Sequence, residues 1–149
     1  MEVFVIEQLK LENQLCFPLY AAAKEVVKQY TPFLSEIGLT YTQYVTMMVI
    51  WEKKEISVKE LGNALFLDSG TLTPLLKKLE ASGFITRSRS EADERSVIIR
   101  ITEAGNELKY RAQEIPLKMG QCLNLSQDEI SVLYGLLYKI LNQFTSSRN

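Results

Sequence analysis

Apolar residues recur along this chain with two periods, and the places where the period changes mark its elements. A helical spacing runs from Gln14 to Tyr30, from Thr40 to Glu52, from Thr102 to about Cys122 and from Ser126 to Phe144. Between the second and third of these, Ser57-Val58-Lys59-Glu60 fits a capping box, in which the serine hydroxyl accepts from an amide one turn on and the glutamate reaches back. It opens a short helix that buries Val58, Leu61 and Leu65. Another helix follows with Leu72, Leu75, Leu76 and Leu79 at i, i+3, i+4, i+7. Pro74 has no amide hydrogen and belongs near a first turn, which dates that helix start to Ser69 to Thr71. Past Gly83, a helix stop, Phe84–Arg87 and Val97–Ile101 read as strands around a polar tip. The last helix opens on a second capping box, Ser126 to Glu129, and carries a wide stripe of Ile130, Leu133, Leu137, Ile140, Leu141 and Phe144.

The predicted fold is mainly α with a small β-wing. Residues 40–101 form a winged helix-turn-helix, and residues 1–39 and 102–149 supply N- and C-terminal helices to a dimerisation core. Such two-helix units lay the second helix in the DNA major groove, while an arginine-bearing hairpin reaches backbone or minor groove. The expected DNA contacts are Asp68, Ser69, Thr71, Thr73, Pro74, Lys77 and Lys78 on the second helix, and Arg87, Arg89, Asp93 and Arg95 on the wing. A solvated lysine pair and a charged turn also occur in proteins that never touch DNA, and pattern alone leaves both readings open.

Composition narrows the partners. With 149 residues, 46% of them hydrophobic, the chain can bury a real core. Its net charge of −1 argues against a generally polybasic binder. Charge is nevertheless graded: residues 1–56 hold 5 basic and 7 acidic side chains, and residues 69–100 hold 6 and 4. One copy would grip phosphate weakly, so a dimer that doubles the patch is expected. Met1 to Ile6 is too short and lacks the basic start of a secretory signal, and no apolar run approaches the ~20 residues that span a bilayer. A cytoplasmic protein without membrane contact is expected. The absence of histidine excludes histidine-dependent catalytic triads, and two cysteines cannot complete a tetrahedral zinc site. Neither metal, cofactor nor enzymatic activity is expected.

Cys16 carries the candidate chemistry. Pro18 requires its helix to begin only a few residues earlier, which puts Cys16 in the first turn. Free amides and the positive end of the helix dipole favour a thiolate there, the form that attacks peroxide. Cys16, Tyr20, Ala23, Val27 and Tyr30 share one face, but Tyr30 lies about 21 Å along the axis from Cys16 of its own chain. Two copies packed antiparallel would bring Tyr30 of one to Cys16 of the other, in an apolar pocket suited to greasy oxidants. Ordinary core tyrosines beside a small, inert buried cysteine fit the same spacing.

Leu11-Glu12-Asn13-Gln14-Leu15-Cys16-Phe17, with Tyr20, Tyr30 and Thr40-Tyr41, together with the run Leu67 to Glu80 and Asp93-Glu94-Arg95-Ser96, resembles the MarR family of winged-helix regulators. Within it the likeness is to the organic-hydroperoxide-sensing, OhrR-like branch, from about residue 9 to 144. The resemblance implies a homodimeric bacterial repressor whose reactive cysteine, here Cys16, meets tyrosines of the other subunit, here Tyr30 and Tyr41, with Tyr20 a further candidate. It also implies that Arg95 enters the minor groove, held by Asp93. Pro18 departs from the family pattern, which has an ordinary helix former there. Cys122 resembles the second cysteine of those members that resolve the first oxidation product into an intersubunit disulfide; an inert thiol is the alternative.

The expected function is a redox-sensing regulator that leaves a pseudo-palindromic operator when an organic hydroperoxide oxidises Cys16. Two other readings stay open. One is a regulator gated by a small phenolic ligand in the cleft between dimer core and reading head, with Cys16 incidental. The other is a thiol peroxidase, against which stands the lack of an arginine or histidine beside Cys16 in sequence.

Overall fold

A computed structural model describes residues 6–145. Two 3-10 turns (Glu7–Leu9 and Leu11–Asn13) lead into α1 (Cys16–Glu36), α2 (Tyr41–Lys53), β1 (Glu55–Ser57), α3 (Val58–Leu65), α4 (Ser69–Ala81), β2 (Ile85–Arg89), β3 (Val97–Ile101), α5 (Glu103–Ala112), α6 (Ile115–Gly120) and α7 (Gln127–Thr145). The three strands form an antiparallel sheet in the order β1-β3-β2. The winged helix-turn-helix expected from the pattern is therefore present.

The larger differences from expectation each have a physical reason. α1 continues past Tyr30 and through Pro32 to Glu36, because Leu34, 2% exposed, and Phe33 pack into the core and offset the hydrogen bond that proline removes. The single helix expected from Thr102 to Cys122 is two, α5 and α6. Pro116 breaks it: the ring cannot follow a continuing helix without striking the carbonyl of Ala112, where α5 ends. β1 escaped the sequence reading because three residues show no period; it pairs with β3 and buries Ile56.

Helix starts follow the expected chemistry. Both serine capping boxes form, with Glu60 and Ser57 bonded reciprocally and Glu129 and Ser126 likewise. Hydrogen bonds from the Ser57 side chain and amide hold the Glu60 carboxyl below its ordinary value of 4.5, and those from the Ser126 amide and side chain do the same for Glu129. A carboxyl lowered by folding stabilises above its unfolded value and loses that stabilisation as pH falls through its folded one. Thermal stability should therefore drop on acidification below about pH 4.5, and less steeply in the double variant Glu60→Gln/Glu129→Gln, since glutamine caps without titrating. Equal acid sensitivity of the two proteins would refute this.

One hydrophobic core joins Leu34, Ile37 and Leu39 to Met47 and Ile50 of α2, Leu61 of α3, the leucines of α4, Ile85 and Ile99 of the wing, and Leu108, Ile115 and Met119 beyond it. Most of α1 and all of α7 stand outside it. α1 buries only Leu34, and α7 buries no residue at all. Leu15, Phe17, Leu19, Tyr20 and Val27 of the first region and Leu133, Leu136, Tyr138 and Phe144 of the second remain exposed. Apolar surface on that scale marks an interaction face. No helix among the described residues is long and apolar enough to cross a membrane.

Candidate functional site

The reading head is built on the start of α4. Asp68 is its N-cap, with Oδ1 accepting from the Thr71 amide at 2.8 Å. The helix begins at Ser69, the early end of the expected range, so Pro74 stands inside it and costs the Gly70 carbonyl its partner. Nearby the Thr73 hydroxyl donates to the Ser69 carbonyl at 2.7 Å. Leu72, Leu75, Leu76 and Leu79 face the core, which turns Ser69, Thr71, Thr73, Pro74, Lys77 and Lys78 outward together. Neither lysine has a partner among the described residues. The head is thus a helix face of small hydroxyls and two free cations.

The wing turns back on itself at Ser90–Ser96. Asp93 organises this tip: one carboxylate oxygen accepts from the Arg95 amide at 3.0 Å and the other from the Ser96 hydroxyl at 3.1 Å. Asp93 thus holds Arg95 by its main chain. The Arg95 guanidinium is exposed, with no partner among the described residues. The other wing arginines are engaged. Arg89 donates to the Glu94 carbonyl at 2.7 Å, and Arg87 binds Glu80, whose carboxyl is held below its ordinary value chiefly by that hydrogen bond. Between α3, α4 and the wing opens a groove of about 760 Å³, lined among others by Lys59, Ser69, Thr73, Arg87 and Arg95.

The thiol site is laid out along α1. Cys16 is its first helical residue, and Pro18 stands two residues later, where no intrahelical amide bond is required. Leu15, the residue before it, supplies no side-chain cap, which leaves the Cys16 and Phe17 amides uncapped by it. The Cys16 side chain is exposed. Tyr20, one turn on, is also exposed, with Lys24 Nζ 5.6 Å from its ring centroid. Tyr30, near the other end of the unbroken helix, packs on Tyr41 and Tyr44 at centroid distances of 4.8 and 5.9 Å. Within one chain, therefore, Tyr30 and Tyr41 come together and Cys16 stands apart from them. Burial raises the Tyr30 phenol, with Tyr41 adding to it, and burial likewise raises Tyr44. These hydroxyls stay protonated and able to donate.

Cys122 follows α6, with Sγ 3.4 Å from the Lys118 carbonyl, and is exposed. Lys118 in turn sits over the ring of Phe33, 5.5 Å from its centroid, one turn beyond Tyr30. The stretch leading to the second thiol thus packs beside the part of α1 that carries Tyr30.

Three residues outside the sequence reading join these sites. Tyr44 stands one turn from Tyr41 on α2, a spacing that could have placed it in the cluster. Trp51 contacts Tyr44 and donates through Nε1 to the Gly105 carbonyl at 2.8 Å, tying α2 to the helix that leaves the wing. Glu80 had no signal beyond being an acid in the last turn of α4.

The family described as transcriptional regulator SarA/Rot matches residues 28–112. The chain is 49% identical over 138 residues to the organic hydroperoxide resistance transcriptional regulator of Bacillus subtilis (strain 168), covering 91% of this chain and 92% of that protein. It is 45% identical over 138 residues to the HTH-type transcriptional regulator SarZ of Staphylococcus aureus (strain USA300), covering 93% of each. Among solved structures, reduced AbfR bound to DNA matches with a TM-score of 0.77 at 34% identity, over 93% of this chain and 97% of that one. Disulfide-formed AbfR matches with a TM-score of 0.65 at 34% identity, over 90% and 95%.

Proposed function

Because the chain belongs to the MarR/SarA family of winged-helix transcriptional regulators, we propose that it binds DNA as a homodimer and releases it when an organic hydroperoxide oxidises Cys16. The family is one of regulators, not of peroxidases, so the thiol serves as a signal receiver. In this reading residues 40–101 read DNA, with residues 6–39 and 102–145 holding two copies together in the cytoplasm; the ends of that expected core, 1–5 and 146–149, lie outside the described residues. Ser69, Thr71, Thr73, Lys77 and Lys78 meet the major groove, and Arg95 the minor groove. A two-fold axis sets the two α4 helices about 34 Å apart on a pseudo-palindromic operator.

The observation that carries the redox half is the layout of α1. An exposed thiol opens the helix, a tyrosine cluster lies near its end, and the helix face between them is apolar and uncovered. Antiparallel pairing of two such helices covers that face and brings the partner's Cys16 to Tyr30 and Tyr41. Phenol donors then stabilise the thiolate, and the apolar surroundings favour an organic oxidant. Attack on the peroxide oxygen remote from carbon forms the S–O bond and breaks the O–O bond. The sulfur becomes a sulfenic acid, and the peroxide, with one proton, leaves as the alcohol.

Cys122 of the subunit that supplies the tyrosines is the proposed resolving thiol. It displaces water from the sulfenic acid and forms an intersubunit disulfide. The resulting shift of α1 and α6, which pack on each other, alters the spacing of the two heads and releases DNA.

Reduced protein should retard a DNA duplex in a gel, and cumene hydroperoxide should abolish the retardation, reversibly with dithiothreitol. Persistent binding by the oxidised protein would refute the proposal. On non-reducing electrophoresis the same treatment should yield a covalent dimer that Cys122→Ser lacks; a dimer that survives the substitution would remove Cys122 from the mechanism.

A further inference from the structure

The outer edge of the wing is fastened by one carboxylate to α4, the recognition helix of the proposed DNA complex. β2 is an edge strand, so the amides it turns away from β3 have no ladder partner. Arg87 stands opposite the fully buried Ile99, so its side chain leaves the face of the sheet that is turned toward the core. There Glu80, in the last turn of α4, accepts three hydrogen bonds from this one residue. The Arg87 amide donates to Oε1 at 3.1 Å, and its Nε and Nη2 donate to Oε2 at 2.9 and 2.7 Å. The two side chains are only 25% and 37% exposed. A planar guanidinium against a planar carboxylate fixes orientation as well as distance.

We propose that Glu80 and Arg87 are positioning residues for DNA binding, which set the angle between the recognition helix and the wing while Arg87 itself touches no phosphate. The inference rests on the DNA-binding half of the reading above and not on its redox half. Its charge already matched, Arg87 adds little to counterion release. The rest of the wing is braced within itself: Arg100 donates to Glu55 of β1 at 2.5 Å and to Ser88 of β2 at 2.8 Å, spanning all three strands. A braced wing tilts as a unit about its junction with α4. Arg95 lies beyond the end of β2, at ~3.3 Å of rise per strand residue, so a small tilt at Arg87 is magnified at the tip. The Glu80–Arg87 contact at that junction therefore decides whether α4 and Arg95 reach the same duplex together.

The test uses full-length reduced protein and a duplex enriched from a randomised library by the wild type, read by fluorescence anisotropy across a salt series. Glu80→Ala liberates the Arg87 charge. A phosphate-seeking Arg87 held back by Glu80 would then bind DNA more tightly; a positioning pair loses affinity, by about tenfold, the scale of one lost base contact. The double variant Glu80→Gln/Arg87→Met keeps the net charge and should weaken binding with an unchanged salt slope, whereas loss of a phosphate contact lowers the slope by about one. Glu80→Gln still offers an acceptor to the Arg87 amide and should keep most of the affinity. Amide exchange at Arg87, accelerated in Glu80→Ala while the melting temperature holds, separates loss of the pin from loss of the fold. Tighter or unchanged binding by Glu80→Ala, or a lowered slope in the double variant, overturns the proposal. Failure of the wild type to enrich any sequence overturns the DNA-binding reading and the proposal with it.

Discussion

Cys16→Ser should bind DNA as the reduced wild type does and should no longer leave it when an organic hydroperoxide is added. Serine preserves the size of the side chain and a hydrogen-bonding group in the first turn of α1, so packing and dimer formation are kept. Its oxygen cannot be carried to a sulfenic acid. The effect is large because releasing a bound regulator demands that its two forms differ in affinity by orders of magnitude, and a single sulfur atom supplies the whole difference. Titrating wild type and variant with cumene hydroperoxide against a labelled duplex measures it: affinity should fall at least a hundredfold, or about 2.7 kcal/mol, in the first and change by less than about twofold in the second. A variant that still dissociates would place the sensing thiol elsewhere, and Cys122 is then the sole remaining cysteine.

Gly105→Ala should destabilise the protein by roughly 2 to 4 kcal/mol. The sign is the informative part, because glycine to alanine inside a helix ordinarily stabilises by about 1 kcal/mol. Here a Cβ would lie 2.0 Å from the Phe84 carbonyl oxygen and 2.9 Å from its carbon, both backbone atoms that no rotamer can move. The same Phe84 oxygen accepts from the Thr102 amide at 3.1 Å, so the strand end and the helix start are held together at the very place the methyl group must enter. Relief would pull α5 off the wing and the Gly105 carbonyl off Trp51. Gly120→Ala, where nothing stands within 4 Å of the added carbon, is the matched control and should be neutral or mildly stabilising. Thermal denaturation of both variants decides it; a Gly105→Ala protein as stable as wild type would show that the wing is not wedged against α5.

Much of this was legible in the sequence because the signals were local and physical. The serine capping boxes at Ser57 and Ser126, the leucine stripe of α4 and the constraint that Pro18 places on Cys16 each depend on neighbours within a turn or two, and each stands as expected. What escaped depended on partners distant in the chain. No hydrophobic period reveals that Glu80 accepts from Arg87, because helix and strand have different periods and the meeting is fixed by how they pack. β1 is defined only by its pairing with β3, and the extension of α1 through Pro32 by the burial of Leu34. Family likeness named Tyr30 and Tyr41 as partners of Cys16, but their contact with each other was not expected, since residues on two different helices share no spacing rule. The distribution of wing arginines was least legible of all. Family likeness marked Arg95, but nothing in the sequence told that Arg87, Arg89 and Arg100 are each engaged while the Arg95 guanidinium has no partner among the described residues.

The base of the wing is stapled: the Thr102 hydroxyl donates to the Gly83 carbonyl at 2.6 Å and its amide to Phe84. The excursion from Gly83 to Thr102 is therefore a closed ring whose neck is fixed independently of its length. Lengthening a closed loop is inexpensive, since a doubling costs only about 0.6 kcal/mol of closure entropy. Insertions or deletions at Ser90–Ser96 can accordingly accumulate without disturbing the helices behind the neck. The reach of the wing along a duplex is thus a dimension in which relatives can diverge, and a grafting site for altered specificity that leaves the folding unit intact.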